Sequence, residues 1–104
     1  MRAVVQRVFS GSVWVDGAEV GTCGEGFVVF LAAHQDDTPL EAAKMADRVW
    51  GLRVFSDAEG KMNLSLRDLL PDKPMGVLAI SNFTLYGDTS RNRRPSFSHS
   101  APYD

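Results

Sequence analysis

Five consecutive apolar residues, Phe27-Val28-Val29-Phe30-Leu31, constrain this chain more than any other stretch. Neighbouring side chains of a strand point to opposite faces, so an all-apolar run must be covered on both. Gly24-Glu25-Gly26 turns the chain immediately before it. Even extended to Ala33, the run is far too short to span a bilayer. It therefore predicts a central strand, and the remaining segments must supply its two covers.

Those segments can be read in order. Arg2 to Phe9 alternates as a strand, with Ala3, Val5 and Arg7 on one face and Val4, Gln6 and Val8 on the other. Ser10-Gly11-Ser12 interrupts the pattern as a bend or bulge, and Val13-Trp14-Val15 resumes it. Asp16-Gly17 is a two-residue hairpin signal, since both positions tolerate positive φ, and Ala18 to Cys23 is the return strand. Thr38-Pro39-Leu40-Glu41 starts a helix: Thr38 caps, Pro39 suits the first turn and Glu41 completes a capping box. Ala42, Met45, Ala46, Val49 and Trp50 recur at helical spacing, so the helix should run to about Leu52 and lay this face, with Met45 and Trp50 as core, on the sheet. Val54-Phe55 and Met62 to Leu66 read as short strands around the turn Ser56 to Lys61. Met75 to Ser81 is a last strand, and Arg91 to Asp104 reads as an extended tail. The expected fold class is α+β: a mainly antiparallel sheet with one main helix, in a single domain over residues 1–104.

Composition narrows the function classes. The 44% apolar and 23% charged fractions are those of an ordinary globular protein. A net charge of −2 excludes a chain that coats nucleic acid, so any RNA contact must be a local patch. Cys23 is the one cysteine, which excludes an internal disulfide; without a secretory signal, this reads as a cytoplasmic chain with no membrane partner. His34 and His99 are isolated and no metal-ligand spacing occurs, so no metal is expected. No glycine-rich loop precedes a helix, so no nucleotide cofactor is expected.

The chemistry-bearing stretch is Ala79 to Tyr86. An apolar strand empties into Ser81, Asn82, Phe83 and Thr84, which is how a scaffold presents a site. Arg91, Arg93 and Arg94 follow closely, cations suited to phosphate, with Arg94 beside Pro95. Ser81 or Thr84 would serve as nucleophile only with a base within reach, and none is evident. Backbone N–H groups at the strand end offer instead an oxyanion site. From the residues alone, an acyl-transfer site, an RNA-end site and a solvated basic loop all stay open.

Four stretches take the argument further: Met1-Arg2-Ala3-Val4-Val5-Gln6-Arg7-Val8, Arg53 to Leu64, Ser81-Asn82-Phe83-Thr84-Leu85 and Arg94-Pro95-Ser96-Phe97-Ser98. In this order and spacing the chain resembles the D-aminoacyl-tRNA deacylases, also called D-tyrosyl-tRNA(Tyr) deacylases. The resemblance covers essentially the whole chain. It implies a homodimer with a β-barrel-like core. It implies hydrolysis of the ester joining a D-amino acid, or mischarged glycine, to the terminal adenosine of tRNA. The motif Ser81 to Leu85 would line the pocket, with the amide of Phe83 near the scissile carbonyl. Arg7 would help hold a cis Gly-Pro pair that reaches in from the partner subunit and excludes L-amino acids. Thr84 is the family's suggested nucleophile; the alternative leaves the chemistry to the ribose 2′-OH, with the protein positioning it, and the lack of a base favours that alternative.

Two departures from the family pattern are visible. Asn82 stands where the family has Gln, one methylene shorter, and is expected to leave a hydrogen bond unmade. The family also continues for roughly forty residues past the position of Asp104. That part would hold a helix, strands and the Gly-Pro pair, a dipeptide absent from these residues. The 104 residues alone are therefore expected to show little D-selective deacylation and an uncovered apolar face near Val4, Val28, Phe30, Val77 and Ile80. Two other functions compete: an inactive homologue binding RNA ends or dimerising, and a serine or threonine hydrolase of small esters.

Overall fold

The computed structural model describes residues 1–102. The elements are β1 (Arg2–Val8), β2 (Gly11–Val15), β3 (Ala18–Cys23), β4 (Gly26–Ala32), α1 (Pro39–Trp50), β5 (Phe55–Ser56), β6 (Met62–Leu64), α2 (Leu66–Leu69) and β7 (Gly76–Ser81), followed by a 3-10 turn at Phe83–Tyr86. The apolar run is central, as its pattern requires: the main sheet has the order β1-β4-β7. β4 pairs antiparallel with β1 and parallel with β7. The other pairings, β2 with β3 and β5 with β6, are antiparallel. The α+β class holds, with no closed barrel among the described residues.

Each face of β4 has its own cover. On one, Phe27 and Val29 are buried with Phe55 and Leu66, and the Phe27 and Phe55 rings stack at 5.0 Å. On the other lies the β2–β3 hairpin, so close that a Cβ at Gly11 would come within 2.8 Å of Val28 Cγ2 and one at Gly21 within 3.0 Å of Leu78 Cδ1. Cys23, half-buried at the end of β3, closes this contact; its Sγ lies 4.0 Å from the Phe27 carbonyl. The hairpin turns at Asp16 and Gly17 with φ of 51° and 80°, as that dipeptide predicts. The expected interruption falls at Phe9 and Ser10, between β1 and β2, and a further register shift lies between Val13 and Trp14. Where β4 meets β7, Gly26 has φ of 150° and a Cβ there would lie 1.9 Å from the Gly76 carbonyl. Only glycine permits that approach. Gly76 N–H donates to the Glu25 carbonyl, and Lys73 pairs with the Glu25 carboxylate at 2.9 Å.

The helix forms as its caps dictate. Thr38 Oγ1 accepts from Leu40 N–H, and the Glu41 carboxylate accepts from Thr38 N–H at 2.7 Å. Its fit to the sheet is looser than the periodicity suggests. No residue of α1 is buried, and Trp50 is 38% exposed. An apolar trough of about 320 Å³ separates Met45, Val49 and Trp50 from Val29, Val77 and Ala79. This corrects the expected uncovered face. Val77 belongs to the trough, while the register sets Val4, Val28, Phe30 and Ile80 on the opposite, hairpin-bearing face. There Val4 is exposed but the other three are half-buried.

Two local expectations are revised. The strand expected to reach Leu66 ends at Leu64, because Ser65 and Asp68 form a second capping box and start α2. The segment expected as an extended tail folds back: Asp88 and Ser96 exchange backbone hydrogen bonds at 2.8 Å, and Ala101 N–H donates to the Ala33 carbonyl. Tyr103 and Asp104, the end of that expected tail, lie outside the described residues.

Candidate functional site

β7 delivers its last residue, Ser81, opposite Leu31, and Asn82 N–H donates to the Leu31 carbonyl at 2.7 Å. The chain then leaves the sheet. Asn82 caps the 3-10 turn, its Oδ1 accepting from Thr84 N–H at 3.1 Å and from the Thr84 hydroxyl. The shorter amide thus has a local use. An Asn oxygen reaches the N–H two residues on, the geometry that makes Asn a good cap. Asn82 Oδ1 is thus engaged within the motif itself. It also occupies the Thr84 hydroxyl with an amide oxygen, which is no proton acceptor of catalytic strength.

A cavity of about 150 Å³ opens beside this turn, lined by Leu31 to Ala33, Ser81 to Phe83, Ala101 and Pro102. The returning tail builds one wall. Ser100 Oγ donates to the Phe83 carbonyl at 2.9 Å, and the Phe83 and Phe97 rings meet edge to face at 5.0 Å. Ser81 and Thr84 are exposed, Asn82 and Leu85 half-buried. The lining is mostly apolar, with Ser81 and Asn82 its polar residues.

The expected site residues fall into three places. Ser81, Asn82, Phe83, Thr84 and Leu85 come together at the turn. Arg91, Arg93 and Arg94 sit on a neighbouring loop clamped at its base by the Asp88–Ser96 pair, all exposed. None of the three guanidinium groups has a hydrogen bond or ion pair with a described residue, and Arg94 is held through its backbone, its N–H donating to Asn92 Oδ1 at 3.2 Å. Arg7 stands apart. It pairs with Phe27, four positions along β4 from Leu31, or about 13 Å at strand rise. Its Nη1 donates to the Val54 carbonyl at 2.7 Å beside a hollow of about 270 Å³ that includes Phe9 and Glu25.

A second group was not legible as a site. Arg2 Nη1 donates to the Leu85 carbonyl at 3.0 Å, and its guanidinium lies 4.5 Å from the centroid of the buried Tyr86 ring. His34 meets Tyr86 edge-on, and His34 and His99, isolated in sequence, stack at 5.8 Å. No spacing rule links residues 2, 34, 86 and 99. Only the β1–β4 pairing and the folded-back tail unite them.

Carboxylates near these elements are held ionised by local donors. The amino-terminal ammonium, 2.7 Å away, and the His34 N–H hold Asp37 below the usual carboxylate range. The Ser90 hydroxyl and N–H do the same for Asp88. Burial pushes the Tyr86 phenol up, so it stays protonated. Among the described residues no cluster of His, Cys, Asp or Glu fits a metal ion, and no helix is long and apolar enough to cross a membrane.

Comparison with known proteins places this arrangement. A family described as "D-Tyr-tRNA(Tyr) deacylase" matches residues 4–104. Proteins named D-aminoacyl-tRNA deacylase from Thermotoga petrophila, Heliobacterium modesticaldum and Geobacter sulfurreducens are 48%, 47% and 46% identical over 104 residues. These alignments cover all of this chain and 67%, 67% and 66% of those proteins, so it spans about two thirds of their length. A solved structure described as "c-Myc DNA Unwinding Element Binding Protein" superposes with a TM-score of 0.86 at 35% identity, over 98% of this chain and 66% of that one. With nearly every residue of the sheet, the turn and the returning tail inside these matches, the chain belongs to the D-Tyr-tRNA(Tyr) deacylase family.

Proposed function

We propose that this chain acts in the family's reaction. The ester between a D-amino acid, or mischarged glycine, and the terminal adenosine of tRNA is hydrolysed, releasing amino acid and tRNA as a step of cytoplasmic translation quality control. The observation that carries this is a whole-chain match to deacylases in a chain whose Ser81, Asn82 and Phe83, the start of the motif turn, line a cavity. In this proposal the esterified ribose sits against the turn, and the cavity takes the amino acid. Ser81, Asn82 and Phe83 position the carbonyl through main chain and amide, and Leu85 braces the turn, its carbonyl accepting from Arg2. Thr84, hydrogen bonded to Asn82, holds the turn rather than attacking. The nucleophile is then water assisted by the ribose 2′-OH, and the protein's contribution is orientation.

Arg91, Arg93 and Arg94, unpaired cations in an otherwise acidic chain, meet the tRNA backbone. Each phosphate contact steepens the fall of affinity with salt. Replacing Arg91 and Arg93 with Ala is expected to weaken tRNA binding several-fold and reduce the salt slope by about two contacts. Unchanged affinity and slope in a filter-binding titration would leave the loop merely solvated. Arg7, distant within one protomer, contributes through the homodimer that the family resemblance implies.

The test is release of amino acid from D- and L-tyrosyl-tRNA measured side by side. Hydrolysis of the D-ester above the spontaneous rate is expected. Discrimination against the L-ester should be small for these residues alone, since no Gly-Pro pair occurs among them. Binding of tRNA without any acceleration would favour a second function, a module that holds RNA ends without chemistry.

A further inference from the structure

A polar hollow of about 510 Å³ lies directly after the motif turn, bounded by Arg2, Tyr86, Gly87, Asp88, Thr89, Ser90 and His99. Three of its features need an explanation that the catalytic turn does not supply. Arg2 is pinned by the Leu85 carbonyl and the Tyr86 ring, yet it faces no carboxylate within ion-pair distance among the described residues. His99 stacks on His34, and as an exposed ring in the lining it offers the hollow a flat surface. Asp88, held ionised by Ser90, stands on the same wall. A site built for phosphate alone would not include that carboxylate. A fixed cation, a flat ring and an acceptor carboxylate match the three parts of a ribonucleotide: phosphate, base and sugar hydroxyl.

We propose that this hollow holds the nucleotide preceding the esterified adenosine at the tRNA 3′ end. Its phosphate lies on Arg2, its base on the exposed ring of His99, and its 2′-OH donates to Asp88. This rests on the deacylase proposal for what occupies the turn. Chain geometry supports the adjacency, because Tyr86 ends the same 3-10 turn that Asn82 caps, roughly 6–8 Å along its axis. Arg2 is pre-organised by its two contacts, so little freedom is lost when a phosphate arrives.

The experiment titrates the fluorescent trinucleotide CCA, as RNA and as DNA, into the chain and its Arg2→Gln and His99→Ala variants, with thermal melts run alongside. Both variants are expected to weaken RNA binding several-fold, and Arg2→Gln to lower the salt slope by about one. The DNA trinucleotide should bind several-fold more weakly than RNA, a preference that Asp88→Ala, which removes the acceptor, abolishes. Because Arg2 packs on Tyr86, His99→Ala at an exposed position keeps the test open if Arg2→Gln melts early. Equal RNA affinity in His99→Ala and the parent chain overturns the proposal, as does equal affinity for RNA and DNA. Ester hydrolysis is measured separately. A chain that hydrolyses D-tyrosyl-tRNA but binds CCA independently of Arg2 and His99 sinks this site alone. One that does not hydrolyse, yet needs both residues for CCA, sinks the activity alone.

Discussion

The two ends of β4 differ in almost every physical respect. At the Gly26–Phe27 end, Phe27 is fully buried, its ring stacked on Phe55 above Leu66, and the backbone of Gly26 all but touches Gly76. At the Leu31–Ala33 end the neighbours are a polar turn, a folded-back tail and two hollows. Four residues separate a region that stabilises from one that presents functional groups. The division has a thermodynamic logic. Exposed polar groups and ordered loops cost stability, so they are affordable only where a packed region close by supplies it. Parallel pairing of β4 with β7 links the two, since the strand that starts beside Gly26 ends at Ser81.

That contrast can be broken most sharply at Phe27. Phe27→Ala removes a wholly buried ring and should cost about 3–5 kcal/mol, read as a lower midpoint in urea unfolding. An effect below about 1 kcal/mol would mean that the packed end is not the source of stability. Gly26→Ala comes next. Its positive φ and the clash with the Gly76 carbonyl should cost at least about 1–3 kcal/mol and loosen β7, so amide exchange along Gly76–Ser81 should rise with it. At the other end, Asn82→Ala removes only a cap. About 1 kcal/mol is expected, with faster exchange of the Thr84 amide and little change at Phe27.

The smallest effect is acid-dependent. Asp37, Asp57, Asp68 and Asp88 have folded-state values depressed below the ordinary 3.8. For such groups the stabilisation is complete above the ordinary value and is lost as pH falls through the folded one. Melting temperature should therefore be level above about pH 5 and drop progressively below pH 4, less steeply in Asp37→Asn. A melting temperature still flat at pH 3 would show that these hydrogen bonds are as strong in the unfolded chain.

The packed end was the more legible in sequence. Phe27 to Leu31 is apolar at every position, Asp16-Gly17 names its turn type, and Thr38-Pro39-Leu40-Glu41 spells a capping box, so strand, hairpin and helix follow from local rules. Ser81 to Leu85 stood out as a candidate site for a similar reason, since Ser81, Asn82 and Thr84 bring polar groups directly after an apolar strand. What stayed hidden depends on contacts distant in sequence. Nothing local says that His34 and His99 stack, or that the tail after Pro95 returns to wall the cavity. Nor does helical periodicity report how far Met45 and Trp50 stand from the sheet. The parallel β4–β7 pairing was equally out of reach, because apolar runs look alike in either orientation.

One side chain described only as packing material also makes the hairpin observable. Cys23 is the sole cysteine, half-buried where β3 closes over Gly11 and the start of β4. A thiol reagent added to the folded chain therefore gains full access to sulfur only when the β2–β3 cover lifts. The labelling rate, compared with that of the unfolded chain, becomes a direct count of how often that cover opens, in a protein that needs no engineered probe.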